Sequence, residues 1–330
     1  MQNRKLGPFT VSEIGLGGMG LSHGYGDKPD RDTAKAVLNK ALDLGVTLID
    51  TAVIYGMGHN EMLVAEAIGH RRGEFTLATK GGIYTKDGQR ELDASPARLR
   101  QSIDESLGRL KTEVIDLYYI HRPDPVVPIE DSVGELARQI DAGKIRSIGL
   151  SEMSAETVRR AHAVHPVAAL QTEYSLWTRN PEIAVLDACA ELGVAFVAFS
   201  PLARGFLSVR PPNNQAWEKG DLRAGMPRFQ GDNYAANLKL LEPLGALARE
   251  AGCTITQLAI AWVLAQRPHI IALPGTGKLK HLVEDCEVSD LKLSPEVLKR
   301  AGDIVNPNTV KGPRYNAATQ ADVTTEEFAS

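Results

Sequence analysis

VTLIDTAVIYG, residues 46–56, begins as an apolar run, reaches a carboxylate at Asp50 and carries a phenol at Tyr55 just beyond. A continuous Val/Ile/Leu run of this length suits a parallel strand covered on both faces. Six further runs end the same way: FTLATK at Lys80, VIDLYYIH at His121, SIGLS at Ser151, AALQT at Gln171, VAFVAFS at Ser200 and IIALPGT at Thr276. Chemistry gathered at the C-terminal end of each strand is how a (β/α)8 barrel builds its site. Polar residues scattered at random do not choose the same end repeatedly. The repetition predicts an α/β fold, a (β/α)8 TIM barrel, over a single domain of residues 1–330.

Between these runs lie amphipathic segments at helical spacing: Asp32–Leu44, Asn60–Ile68, Pro96–Leu110, Ile129–Ala142, Ala155–Val164 and Pro181–Leu192. Gly45, Gly143 and Gly193 stand just before the next apolar run, as glycines that end helices do. Ser95-Pro96 and Asn180-Pro181 place proline at a first helical position. About eight alternating units close a barrel more readily than they fill an open sheet. Two segments break the rhythm. LGPFTVSEIGLG reads as an N-terminal β-hairpin turning at Gly7-Pro8, and Leu202–Asn233 reads as a long loop after strand 7. A loop of that length in a compact domain is usually functional or disordered. Past Asn306 the chain turns polar, and its last dozen residues are expected to form a mobile tail.

The composition excludes several classes. A net charge of −4 gives no basic face for nucleic acid or a membrane surface. The opening MQNRKLGPFTVSEIG has no apolar targeting core, and no stretch approaches the roughly 18 apolar residues of a membrane span. Cys189, Cys253 and Cys286 fit neither a disulfide framework nor a metal knuckle. The plain expectation is a reduced, cytoplasmic enzyme without a metal. No apolar stripe exceeds what a barrel's own helices need, so monomer and homo-oligomer stay equally open.

Gly15-Leu16-Gly17-Gly18-Met19-Gly20 matches the dinucleotide fingerprint by letters alone. That fingerprint needs a helix opening at its last glycine, and LSHGYGDKPDRD reads as loop. The glycines are expected instead to let the backbone at the end of the first strand approach a ligand closely.

Asp50, Tyr55, Lys80 and His121 converge from three neighbouring strands as an acid–base set. Each alone could be a cap, a loop aromatic, a solvated lysine or a turn histidine; their joint placement carries the reading. An ammonium beside Tyr55 favours its phenolate and should lower its pKa of about 10. Asp50 would hold Lys80 charged, and His121 could orient a carbonyl oxygen beside Tyr55 as general acid.

In these residues the chain resembles the aldo-keto reductases. DTAVIYG, ATKGG, YYIHRPDP, GLSE, QTEYSLWTR, FSPLARGFL and LPGTGKLKHLVED match the family's blocks in order. LRAGMPRFQGDNYAAN and GPRYNAA resemble its bacterial and plant branch, which acts on small or open-chain carbonyls. The resemblance implies NADPH-dependent reduction of aldehydes or ketones to alcohols by hydride transfer, with Tyr55 as proton donor assisted by Lys80 and Asp50, and His121 guiding the carbonyl. It places Gly18 and Met19 beside the cofactor, Ser151 and Gln171 on the nicotinamide carboxamide, and Phe199 on the ring. Ser200, Pro201, Leu202 and Arg204 would line the pyrophosphate channel, and Gly275, Thr276, Lys278, His281, Glu284 and Asp285 the adenosine end. His281 and Asp285 stand where the family commonly has Arg and Asn, so NADH is possible at lower preference. Tyr25, Ile54, Tyr84, Arg122 and Trp177 are the expected walls for a small-molecule carbonyl substrate.

Two rival readings stay open on the sequence. One is a barrel lyase or aldolase forming a Schiff base on Lys80; the other is a non-catalytic NADPH-binding redox sensor on the same scaffold.

Overall fold

The computed structural model describes residues 1–26, 28–86 and 88–328. Strands β1 (Asn3–Leu6) and β2 (Phe9–Ser12) form the expected antiparallel hairpin, turning at Gly7 with φ +53°. A Cβ at Gly7 would lie 2.6 Å from that of Ala168, so the turn is pressed against the barrel and only glycine fits. The barrel strands are β3 (Leu16–Gly17), β4 (Leu48–Asp50) and β5 (Thr76–Gly81). A second hairpin, β6 (Ile83–Lys86) with β7 (Gln89–Leu92), stands outside the sheet. The barrel continues through β8 (Leu117–Ile120), β9 (Ile148–Ser151), β10 (Val167–Glu173), β11 (Ala195–Phe199) and β12 (Ile270–Leu273).

These eight barrel strands pair in parallel, in the order β12-β11-β10-β9-β8-β5-β4-β3. The ring closes where Ile14 bridges Ala272 and the Gly17 N–H donates to the Pro274 carbonyl at 2.8 Å. The glycines of GLGGMG serve this closure. A Cβ at Gly15 would meet Leu273 at 2.9 Å, and one at Gly18 would meet the Asp50 carbonyl at 2.9 Å. No α-helix opens there; a single 3-10 turn, Met19–Leu21, follows.

Six helices match the amphipathic segments: α1 (Arg31–Asp43), α2 (His59–Ile68), α3 (Pro96–Leu110), α4 (Ile129–Asp141), α5 (Ala155–Val164) and α6 (Val185–Leu192). Asp30, Ser95 and Ser154 cap three of them by accepting from backbone N–H groups in the first turn. The sixth starts four residues later than its proline suggested, because Asn180–Glu182 is a separate 3-10 turn and Ala184 is non-helical. Then come α7 (Gly231–Leu238), α8 (Leu241–Glu250), α9 (Ile255–Gln266), α10 (Leu279–Cys286), α11 (Pro295–Ile304) and α12 (Ala317–Gln320).

Leu48, Ala78, Leu117, Tyr119, Val197 and Ile271 fill the barrel interior, with Leu6 and Val11 of the first hairpin packed against them. Polar groups therefore collect at the other end. No described helix is long and apolar enough to cross a membrane.

The C-terminal segment, expected as a mobile tail, makes defined contacts with the barrel as far as Glu326. The Thr324 N–H donates to the Glu152 carbonyl at 2.9 Å, Thr325 Oγ1 to Glu152 Oε2 at 2.9 Å, and the Ala155 N–H to Glu326 Oε1 at 2.8 Å. The last places a carboxylate on the positive N-terminus of α5, a use that a polar sequence does not advertise.

Candidate active site

Asp50 ends β4, Lys80 is the penultimate residue of β5, and His121 directly follows β8. Tyr55 lies between β4 and α2 in a tight turn where Gly56, Met57 and Gly58 all have positive φ. Asn60 pins this turn: its Nδ2 donates to the Gly18 carbonyl and to Ser22 Oγ, both at 2.8 Å, and its Oδ1 accepts from Thr51 at 2.6 Å. Lys80 Nζ donates to Asp50 Oδ1, to the Thr51 carbonyl at 3.0 Å and to Tyr55 Oη at 3.4 Å. Gln171 Nε2 donates to Asp50 Oδ2 at 2.8 Å. The His121 ring meets Tyr55 edge-on, with centroids 5.9 Å apart. All five side chains are buried.

Burial disfavours charge on Lys80, but the Asp50 carboxylate and then the Tyr55 oxygen outweigh it, so its pKa lies above the ordinary lysine value. Burial pushes Asp50 up, while Lys80 and Gln171 pull it back. Tyr55 runs against the sequence expectation. Lys80 does pull its pKa down, but the loss of water is larger and the net shift is upward. His121 falls well below its ordinary range through burial, reinforced by the positive charges of Arg122, Lys80 and Arg90, so it is neutral at pH 7. Its Nδ1 has no partner among the described residues. A lysine held charged in this way is a poor imine-forming nucleophile, which removes the support for a Schiff-base site.

Asp50, Tyr55 and His121 line a cleft of about 1890 Å³ at the C-terminal end of the strands, with Lys80 beneath them. Met19, Tyr25, Ile54, Arg122, Ser151, Gln171, Phe199, Ser200, Pro201, Leu202 and Arg204 also line it. So do Gly275, Thr276, Lys278, His281, Glu284 and Asp285. Three expected residues do not. Gly18 lies behind the wall, packed against Asn60 and the Asp50 carbonyl. Tyr84 turns inward, its Oη accepting from the Gly82 N–H at 2.9 Å with the Arg98 guanidinium 3.7 Å from its ring centre. Trp177 is buried against Phe206 and Phe229, because the aromatic cluster beneath the long loop needs it there.

The long loop spans the cleft as a strap. The Leu222 N–H donates to the Gly24 carbonyl at 3.0 Å, and Arg223 lies between the rings of Tyr25 and Trp217 while pairing with Asp221 at 2.6 Å. Arg228 points away, binding the carbonyls of Gly312 at 3.0 Å and Trp177 at 2.7 Å, and so anchors the strap. Arg204 has φ +58° and turns into the wall, its Nη2 donating to Glu173 Oε2 at 2.7 Å and to Tyr315 Oη at 3.0 Å. Glu173, held by Arg204 and Arg314 despite its burial, is lowered to about 2. His23, Arg90 and Tyr315 also line the cleft and were not foreseen. GPRYNAA had marked the neighbourhood of Tyr315, whereas Arg90 sits in an exposed polar strand that carries no pattern.

The site is that of a barrel enzyme with an acid–base centre at the strand ends. The Aldo/keto reductase family profile matches residues 13–306. The chain is 40% identical over 319 residues to "Probable aldo-keto reductase 1" of Glycine max, covering 96% of this chain and 92% of that protein. Its structure is similar to that of a glycerol dehydrogenase from Gluconobacter oxydans, with a TM-score of 0.84 and 31% identity over 96% of this chain and 99% of that one. It is also similar to an aldo/keto reductase from Klebsiella pneumoniae in complex with NADP and acetate, with a TM-score of 0.72 and 25% identity over 94% and 97% of the two chains. The chain belongs to the aldo/keto reductase family, and it is an NAD(P)H-dependent oxidoreductase of carbonyl compounds.

Proposed function

We propose that the protein reduces aldehydes or ketones to alcohols with NADPH, and that Tyr55 supplies the proton. One observation carries this reading: Tyr55 Oη is buried beside an ammonium, Lys80 Nζ at 3.4 Å, that Asp50 keeps charged. Burial keeps Tyr55 protonated at neutral pH, so the proton is present when needed. As it leaves, the adjacent ammonium stabilises the phenolate. Neutral His121 can donate a hydrogen bond to the carbonyl oxygen and fix its approach to Tyr55. The bound nicotinamide supplies the hydride.

The cleft's donor set suits such a cofactor. Ser151 and Gln171 would hold the nicotinamide carboxamide, and Phe199 would stack on the ring. Ser200, Pro201, Leu202 and Arg204 would line the pyrophosphate stretch. Lys278 stands at the N-terminus of α10, where backbone N–H groups and the helix dipole favour a phosphate. Buried Asp285 has an Oδ1 without a partner among the described residues at that end of the cleft, consistent with a polar ligand beside it. Tyr25, Ile54 and Arg122 remain as substrate walls. The three widely spaced cysteines, none of them in a disulfide, suit a reducing, cytoplasmic location. Consumption of NADPH, followed by its absorbance across a panel of aldehydes and ketones, tests the reading. No loss of absorbance with folded protein would overturn it.

The strap should act as a lid whose reopening limits turnover. Limited proteolysis is expected to cut within residues 202–233 of the free protein and to spare them with NADPH bound. Equal cutting in both states would remove the lid.

Cofactor choice should depend on pH. Burial, with Lys278 and Lys280, lowers the pKa of His281, and Glu284 opposes this only in part. A bound 2′-phosphate raises it. Protonation then accompanies NADPH binding, so preference for NADPH is strongest below the free value. It fades as pH rises through the value in the complex, and Lys278 retains the remainder. A full charge-assisted contact corresponds to about ten- to a hundred-fold in affinity. Dissociation constants for NADPH and NADH between about pH 5.5 and 8.5, a window bracketing the ordinary histidine pKa, read it directly. A flat ratio, or one unchanged in His281→Ala, would rule it out.

A further inference from the structure

Arg122 stands apart from the other guanidiniums of the cleft. Arg90 is paired with Asp322, Arg204 with Glu173 at 2.7 Å and Arg223 with Asp221 at 2.6 Å, while Arg210 is exposed on the strap. Arg122 is partly buried and has no carboxylate partner among the described residues. Its hydrogen bonds both leave from Nη1, to the His121 carbonyl at 2.7 Å and to Ser151 Oγ at 3.2 Å. These contacts fix the plane of the group and leave Nε and Nη2 without an acceptor among the described residues. Nearby acids are occupied elsewhere. Asp50 belongs to Lys80 and Gln171, and Asp124 accepts from the backbone N–H groups of Ala94, Val126 and Val127.

A guanidinium cannot shed its proton, so covering it with a neutral ligand desolvates a charge without compensation. A carboxylate on the substrate would match its planar fork and provide the missing counter-charge. Arg122 follows His121 in the chain, donates to its carbonyl, and lines the same cleft as the His121 and Tyr55 side chains. An anion bound there therefore leaves a carbonyl on the same small molecule close to the proton donor.

Resting on the reductase reading above, we propose that this cleft selects carbonyl substrates that carry a carboxylate, bound on the unoccupied edge of Arg122. The reaction is otherwise unchanged: the carbonyl carbon gains the hydride, its oxygen gains the Tyr55 proton, and the carboxylate passes through unaltered.

Para-formylbenzoate and its methyl ester form a matched pair that differs in the anion. The wild-type ratio of kcat/KM, acid over ester, is expected to be about 10- to 100-fold. It should collapse toward one in Arg122→Met and be partly restored in Arg122→Lys. A wild-type ratio at or below one, or a ratio unchanged in Arg122→Met, overturns the proposal.

Should neither compound be turned over, the reductase reading is left to the carbonyl panel above, and the anion site is judged by calorimetry on cofactor-free protein. Benzoate should bind more tightly than benzamide to the wild type and to Lys278→Met, with the preference lost in Arg122→Met. No preference for benzoate, or a preference that follows Lys278 instead, overturns it. Arg122→Lys retains a charge and keeps the test valid if the methionine variant does not fold.

Discussion

Tyr55→Phe is expected to lower kcat by on the order of 10²- to 10⁴-fold, the range over which a positioned general acid usually contributes. Its affinity for NADPH should stay close to wild type. The substitution removes one oxygen from a buried ring whose edge contact with His121 remains. Lys80 keeps Asp50 and the Thr51 carbonyl as acceptors, so the site beneath survives the loss of the third. Steady-state rates alongside cofactor titration by fluorescence separate the two effects. A near wild-type kcat would move the donor elsewhere, with neutral His121 next in line. Equal losses of rate and cofactor affinity would make Tyr55 a packing residue.

Lys80→Met should damage both fold and chemistry. It leaves the Asp50 carboxylate buried with, among the described residues, only the Gln171 amide as partner, and removing one member of a buried pair typically costs about 3–5 kcal/mol. Asp50→Asn combined with Lys80→Met removes both charges, so it should recover much of that stability and none of the turnover. The wild-type pair also has a pH signature. Because the folded pKa of Lys80 is raised, its contribution is complete below the unfolded value of about 10.4 and is lost as pH climbs through the folded value. Denaturant unfolding of the single and double variants checks this. A single variant within about 1 kcal/mol of wild type, the scale of an exposed pair, would contradict the buried-pair account.

The sequence was most legible where burial is two-sided. Runs such as VAFVAFS and VIDLYYIH are covered on both faces in a parallel barrel, so they read as strands without alternation. Their polar ends then fall on one rim, which groups Asp50, Lys80, His121, Ser151 and Gln171 by sequence alone. Elements defined by long-range contacts were less legible. The strand Gln89–Leu92 is exposed and polar, QREL, and becomes a strand by pairing with Ile83–Lys86. Tyr84 and Trp177 looked like pocket walls because they are aromatics near the motifs. Which way each faces depends on Arg98, Phe206 and Phe229, which lie at other points along the chain. The polar tail hid its anchors because Arg314, Thr325 and Glu326 are held by contacts with Glu152, Ala155 and Asn180, and no local period records such pairings. The sign at Tyr55 was missed for a related reason. The neighbouring charge is visible in the sequence, and the depth of burial that outweighs it is not.

The most direct test of the central claim follows the transferred hydrogen. NADPH deuterated at the transferring position of its nicotinamide, incubated with the protein and an aldehyde, should yield an alcohol carrying one deuterium on the carbinol carbon. The hydroxyl proton should come from solvent, and no borohydride-trappable adduct should form on Lys80. Unlabelled alcohol, or no alcohol from any carbonyl tried while the protein is folded and binds NADPH, would contradict the account.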